Sequence, residues 1–429
     1  MTTQLKLTIT PKSALIDESR HILVEGAKPS SVVEINSRTM RRENCWRSRA
    51  LFIAAPDGTV DTSRDAPFDG DYTGVKPMGL IWSQRPENKN VTEIFPPDVR
   101  DELVTHIEVK NKNDVVSDVM IQYLCKPDIR IERIHKNGLV GTLCLPAGEG
   151  PFPSILILNG SGGGINEPRA AIWASHGYAA FALGYFKVEG LSNYISNTPL
   201  EYFKKGLDFL HQEVRPRDDF VAIAGQSRGG ELALLIASLY PEDISAVIAY
   251  LPGSVVHSGQ NASDPAVGRN GPAWLKDGKP LTHLIDGNRT ATWEPFDNGP
   301  EPHRHELALR TALADDEAVE RARIKVENIK SPIILLSATD DGSWPSSFYC
   351  SMVVNRLAAS NYPYNVEWYD YSGAGHAIVF PYVPTTAISY SHPVSKKVST
   401  GGGTPERNAF ANEDSWNKVL SFAESASKG

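Results

Sequence analysis

Two rhythms of apolar and polar positions divide the chain. Up to about residue 135, short alternating segments such as QLKLTIT, SVVEINS, ALFIAA and VTHIEVK are separated by clusters of Pro, Gly, Asp and Asn. Side chains of a strand point to alternate faces, so a period of two predicts half-buried strands, and this spacing predicts an antiparallel β-sandwich. The opening MTTQLKLTITPKSALID follows the same pattern and lacks the basic-then-apolar layout of a secretory signal. It therefore reads as the first strand, in a protein expected to stay in the cytoplasm.

After about residue 138 the rhythm changes to continuous apolar runs, PSILILNG, YAAFALGYF, FVAIAGQS, AVIAYLPG, PIILLSAT and NVEWYDYS. Between them LEYFKKGLDFLHQEV and GGELALLIASLY repeat apolar positions at helical spacing. Apolar strands alternating with helices predict a mostly parallel sheet covered on both faces, so the fold class is α/β. The expected domains are a sandwich over 1–135 and a catalytic α/β domain over 136–429. Residues 253–330 break the alternation with Gly, Asn and Pro clusters and then a predicted helix, EPHRHELALRTALADDEAVERAR. An insertion there, beside the carboxyl ends of the strands, is placed to cap a site.

Composition narrows the classes. At 429 residues, 41% hydrophobic and 22% charged, the chain is that of a multidomain globular protein, and no run approaches the roughly 20 apolar residues of a membrane span. A net charge of −8 argues against a nucleic-acid binder. Cys45, Cys125, Cys144 and Cys350 are far apart and form no CxxC pair, so buried or free thiols are expected rather than a zinc site or a disulfide framework. The basic stretch RRENCWRSR (41–49) reads as a solvated strand edge or hairpin, with a phosphate-rich ligand as the alternative.

The stretch VAIAGQSRGGELALLIASLY carries the chemistry. Gly225, Ser227 and Gly229 give G-x-S-x-G after a strand-like run and before a helix-like one. That context lets a serine project above a sheet in a sharp turn, with the glycines relieving the crowding. A hydroxyl needs a base to take its proton and an acid to orient that base, in the chain order Ser, Asp or Glu, His. LLSATDDGSWP supplies Asp340 and Asp341 after one strand, and EWYDYSGAGHAIVFPY supplies His376 after the next. His303 and His305 read as a surface helix start. His257, just after a core strand, reads as structural or substrate-facing, with no acid at a matching position. The oxyanion of acyl transfer needs backbone donors: the amide of Arg228, and that of Ser161 or Gly162 in LILNGSGGGINEPRA. Gly163 and its neighbouring glycines let that loop approach the substrate. The loop has neither the Lys-Ser/Thr ending of a P-loop nor the G-x-G-x-x-G of a Rossmann turn.

These segments resemble the acyl-CoA thioesterase and bile acid-CoA:amino acid N-acyltransferase family. The similarity runs from YTGVKPMGLIWSQRPE and LPAGEGPFPSILILNGSGGG through GQSRGGELALLIAS, SATDDGSWPSSFYC and GAGHAIVFPYVP to GGGTPERNAFANEDSW. It implies an immunoglobulin-like N-terminal domain joined to an α/β-hydrolase domain. It also implies Ser227 as nucleophile, His376 as base and Asp341 as acid, with Asp340 the alternate. Serine rather than cysteine at the nucleophile implies hydrolysis, so the expected activity is cleavage of a small-molecule acyl-CoA thioester. Coenzyme A enters only as part of the substrate, and neither a metal nor another cofactor is required. Its phosphates call for cations, for which RRENCWRSR, Lys76 and Arg228 are candidates. The rivals are transfer to an amine such as glycine or taurine, an esterase, lactonase or peptidase of the same fold, and a non-catalytic binding protein. The ending SKG differs from the peroxisomal SKL.

Overall fold

Residues 4–89, 93–392 and 394–428 are described by the structure, a computed structural model. The first three residues of the opening segment and the final Gly429 of SKG lie outside them. The chain divides into one unit made of 1–127, 379–388 and 404–416, and a second made of 128–378, 389–403 and 417–429.

The first unit holds two sheets. Lys6–Thr10, His21–Glu25 and Val60–Asp61 form one, and seven strands form the other, with Leu103–Asn111, Val32–Arg41 and Asn44–Ile53 adjacent at its centre. Along Val32–Arg41 every second residue from Val33 is buried, the period of two that the sequence displays. Those inward positions pack Val33 and Ile35 with Phe52, Ile107, Val109 and Met120. RRENCWRSR is the hairpin between Val32–Arg41 and Asn44–Ile53, with Arg41 opposite Asn44. Its Arg41 is fully buried, its Nη1 donates to the Ile94 carbonyl 2.7 Å away, and burial pulls the guanidinium down to about 9. This arginine is an internal cation and not a ligand-facing one.

The second unit is built on eight strands: β1 (Arg130–Lys136), β2 (Leu139–Leu145), β3 (Ser154–Leu158), β4 (Ala179–Gly184), β5 (Val221–Gln226), β6 (Ala246–Tyr250), β7 (Ile333–Ala338) and β8 (Val366–Tyr371). Their order is β1-β2-β4-β3-β5-β6-β7-β8, with the β1/β2 and β2/β4 pairs antiparallel and the rest parallel. The expected cut after residue 135 falls inside β1. RIERIHK alternates like the strands before it, yet it pairs with Leu139–Leu145. β3, β4, β6 and β7 are buried at every position, which is why they read as continuous apolar runs, while β8 at the sheet edge is mostly half-buried. Because β3, β5, β7 and β8 run parallel, the loops that follow them leave the sheet at the same end.

Between β6 and β7 the expected single helix is two, Glu306–Ala312 and Asp316–Ala322. The break is a cap: the Asp315 side chain accepts the Ala318 amide at 3.3 Å and starts the second helix afresh. All four cysteines are buried thiols outside any disulfide. Among the described residues, no helix is long and apolar enough to cross a membrane.

Candidate active site

The turn after β5 is strained where chemistry would need it. Ser227 has φ 59° and ψ −122°, a conformation that costs a non-glycine residue on the order of 1–3 kcal/mol and persists only when its surroundings hold it. Its amide donates to the Tyr250 carbonyl at 2.8 Å, and its own carbonyl accepts the amides of Gly230 and Glu231 at 2.9 and 3.0 Å. The flanking glycines are demanded by contact: a Cβ on Gly225 would lie 2.0 Å from the Gly229 carbonyl oxygen, and one on Gly229 2.5 Å from that of Leu158. The following helix, Arg228–Leu239, is anchored by buried Leu232, Leu234, Leu235 and Ile236, each worth about 1.5–3 kcal/mol on full burial.

Beyond β7 the two adjacent aspartates diverge. Asp341, with a side chain only 1% exposed, sets Oδ2 2.9 Å from Nδ1 of His376, while its Oδ1 accepts the amides of Ser343 and Trp344 at 2.9 and 3.1 Å. The half-exposed Asp340 turns away, to the Arg304 guanidinium at 3.0 Å and the Gly403 amide at 2.9 Å. A carboxylate 2.9 Å from Nδ1 accepts the hydrogen bond of its N–H and leaves Nε2 of His376 as the basic nitrogen. His376 and Ser227 line one pocket together with Ser161 and the buried Arg228.

A glycine strap joins the acid and base loops. The Gly401 carbonyl accepts the amides of His376 at 2.8 Å and Gly342 at 2.9 Å, and Gly402 pairs with Asp341 across an antiparallel bridge. Gly402 has φ 75°, and a Cβ there would fall 1.9 Å from the Asp340 carbonyl oxygen. The sequence shows this run only as a glycine-rich loop.

After β3, Asn159 shapes the loop that follows. Its Oδ1 accepts the Gly160 amide at 3.0 Å and its Nδ2 donates to the Gly163 carbonyl at 2.6 Å. Among the described residues, no acceptor in the protein is bonded to the amides of Ser161, Gly162 or Arg228. Ser161 and Arg228 line the pocket, whereas Gly162 and Gly163 do not. The Gly163 amide is occupied by the Gly160 carbonyl at 3.1 Å, so Gly163 serves the turn rather than a ligand.

Three expectations change. His257 does have an acid: Glu231, one turn into the helix after Ser227, with Oε2 2.9 Å from its Nδ1. Its Nε2 meets the Tyr349 hydroxyl at 2.8 Å, and the ring is 1% exposed and outside the pocket lining. Arg228 is no phosphate contact, because its guanidinium is held by Glu231 at 3.0 Å and the Ser258 carbonyl at 2.8 Å. Burial alone would raise Glu231, but Arg228 and His257 hold it below the usual carboxylate range. Lys76 is ion-paired with Glu406 in the first unit. Lastly, His305 is no surface residue. It precedes the helix at Glu306, lines the pocket, and donates from Nδ1 to the Ser343 carbonyl at 3.0 Å. His392 joins the pocket too, with Nε2 3.3 Å from the Ser161 hydroxyl. Burial pushes His305 down to about 3 and His392 down to about 4, the latter helped by Lys187 and Lys396. Neither histidine stands after a core strand, which is the only signal by which the sequence could have marked them.

A mainly parallel sheet of this order, with a strained serine after its fifth strand and a carboxylate–imidazole pair after its seventh and eighth, defines an α/β-hydrolase. Two family models then match the chain: "Acyl-CoA thioester hydrolase/BAAT N-terminal region" over residues 17–136 and "BAAT / Acyl-CoA thioester hydrolase C terminal" over residues 198–428. The chain belongs to this family. It is 29% identical over 419 residues to acyl-coenzyme A thioesterase 1 of Homo sapiens, covering 95% of this chain and 93% of that protein. Bile acid-CoA:amino acid N-acyltransferase of Mus musculus is 28% identical over 441 residues, covering 97% and 96%.

Proposed function

We propose that the protein is a serine hydrolase that cleaves acyl-CoA thioesters to the free acid and coenzyme A. The observation that carries this reading is the Asp341–His376 pair at 2.9 Å on the pocket that Ser227 also lines. His376, oriented by Asp341, takes the Ser227 proton as the hydroxyl oxygen attacks the thioester carbonyl. Collapse of the tetrahedral intermediate breaks the carbon–sulfur bond and returns the proton to the leaving thiolate. Water, deprotonated by the same imidazole, then cleaves the acyl-serine and regenerates the hydroxyl. The unoccupied amides of Arg228 and Ser161 or Gly162 are the donors for the oxyanion in both steps. For the first unit, the two sheets and their alternating burial support an immunoglobulin-like sandwich.

The test is thiol release from short, medium, long and branched acyl-CoAs, with Ser227→Ala as the blank. The variant is expected to lose at least about four orders of magnitude in kcat/KM, and turnover at the wild-type rate overturns the assignment. The likeness to an N-acyltransferase across 97% of the chain supports one second reading, an amine as acceptor. Mass spectrometry of reactions supplied with glycine or taurine separates the two, since only transfer yields an N-acyl product.

A further inference from the structure

Among the described residues that line the pocket beside Ser227, none is aliphatic. Beyond Ser227 and His376 its wall includes Gln260, Asn261, His305, Tyr390, His392 and Ser399, with Trp344 as the large apolar face. Gln260, His305, His392 and Ser399 are each nine-tenths buried or more, so the wall is enclosed as well as polar. Two of these side chains hold a nitrogen without a partner in the protein, Nε2 of Gln260 and Nε2 of His305. The first is an amide nitrogen and only donates. The second only accepts, because the His305 ring is kept neutral by burial and its one proton sits on Nδ1, facing the Ser343 carbonyl.

A hydrocarbon chain lying against this wall covers the polar Gln260, Asn261 and Ser399 side chains and returns no hydrogen bond. A hydroxyl donates and accepts at once, and so suits a wall lined by Gln260, Asn261, Tyr390 and Ser399, whose side chains supply both donors and acceptors. The leaving thiol continues into a large polyanionic nucleotide that needs open solvent, so the enclosed wall falls to the acyl side. We propose that the acyl group taken at Ser227 is short and carries a hydroxyl close to the thioester carbon, in place of a long unbranched alkyl chain. This rests on the acyl-thioester reading above and names the substrate class within it.

The experiment is thiol release by the full-length chain from 3-hydroxybutyryl-CoA, butyryl-CoA and palmitoyl-CoA, repeated with Gln260→Leu. The hydroxylated substrate is expected to exceed butyryl-CoA in kcat/KM by at least about tenfold and palmitoyl-CoA by more, since a site built around a hydroxyl discriminates strongly against its absence. Gln260→Leu is expected to cut that ratio at least about fivefold. Equal or better turnover of butyryl-CoA or palmitoyl-CoA overturns the proposal. So does a preference that follows exchange of coenzyme A for N-acetylcysteamine and ignores the hydroxyl, which would seat the thiol arm in the pocket. Release from none of the thioesters counts instead against the thioester reading itself. The same acyl groups offered as p-nitrophenyl esters then test the preference of the pocket directly, and a preference for the plain alkyl ester overturns it.

Discussion

Two histidine–carboxylate pairs flank Trp344. His376 and Asp341 meet at 2.9 Å, as do His257 and Glu231, and the Trp344 ring lies 6.1 Å from the first imidazole and 4.9 Å from the second. By distance alone either pair is a candidate base and orienting acid. They differ in what surrounds them. The His376 side chain is 13% exposed and lines the pocket with Ser227, whereas the His257 side chain is 1% exposed and its far nitrogen is occupied by the Tyr349 hydroxyl. Among the described residues Asp341 pairs with no lysine or arginine, while Glu231 also balances the Arg228 guanidinium and accepts from the indole nitrogen of Trp274 at 3.2 Å. On the proposed mechanism, the same contact serves proton transfer where one ring nitrogen is left to the pocket. It serves cohesion where both ring nitrogens are bonded.

The largest effect that separates the pairs is on turnover. Asp341→Asn is expected to lower kcat/KM about 10³–10⁴-fold in the thiol-release assay, because an amide no longer holds the proton-bearing Nδ1 in place. Asp340→Asn, at a side chain bonded to Arg304 and the Gly403 amide, is expected to change kcat/KM by less than about threefold, as surface substitutions away from a site do. Equal losses in the two variants would break the distinction between the neighbouring aspartates.

The inner pair is expected to answer in stability. Glu231→Gln leaves the fully buried Arg228 without its countercharge, and removing one partner of such a pair costs about 3–5 kcal/mol, readable as a shift of the urea unfolding midpoint. Activity per folded molecule should fall far less than in Asp341→Asn. A loss as deep as that of Asp341→Asn, with the unfolding midpoint unmoved, would move Glu231 from cohesion to chemistry.

How far the sequence reaches follows from the range of each interaction. The elbow is legible because its cause is local: Gly225, Ser227 and Gly229 sit within one turn, and the steric demand on the glycines comes from each other and from the adjacent β3. The apolar runs of β3, β4, β6 and β7 are legible because burial on both faces leaves few polar positions, Ser154 and Ser337 among them. His305 and His392 are hidden because their surroundings come from segments distant in the chain, the Ser343 carbonyl for one and the Ser161 hydroxyl for the other. The strap at Gly401 and Gly402 is hidden for the same reason, since it joins loops about 60 and 25 residues away that sequence reading treats separately. Glu231 reads as one more polar residue on a helix. Only the fold reveals that Arg228, His257 and Trp274 all converge on it.

The smallest effect sharpens the same division between pocket and interior, and its sign follows from linkage. Burial holds His305 at about 3 and His392 at about 4 in the folded protein, against 6.5 for a solvated imidazole, and it pushes His257 down as well despite Glu231. Above pH 6.5 these rings are neutral whether the chain is folded or not, and their contribution to stability is complete. Below 6.5 the unfolded chain binds protons that the folded chain refuses. Stability therefore falls with pH, until each ring is protonated in the folded state too, near 4 for His392 and near 3 for His305. At pH 5 each of these two costs on the order of 2 kcal/mol relative to pH 7. Urea unfolding at pH 7 and pH 5 reads the difference, and His305→Asn, which carries no titrating group, should recover on the order of 2 kcal/mol of it. An unchanged pH dependence in that variant would mean that His305 takes up its proton in the folded protein as readily as in solution. A ring so easily charged would become cationic in the pocket as the pH falls through about 6.5, and the preference for a neutral hydroxylated acyl group would then weaken over that same range.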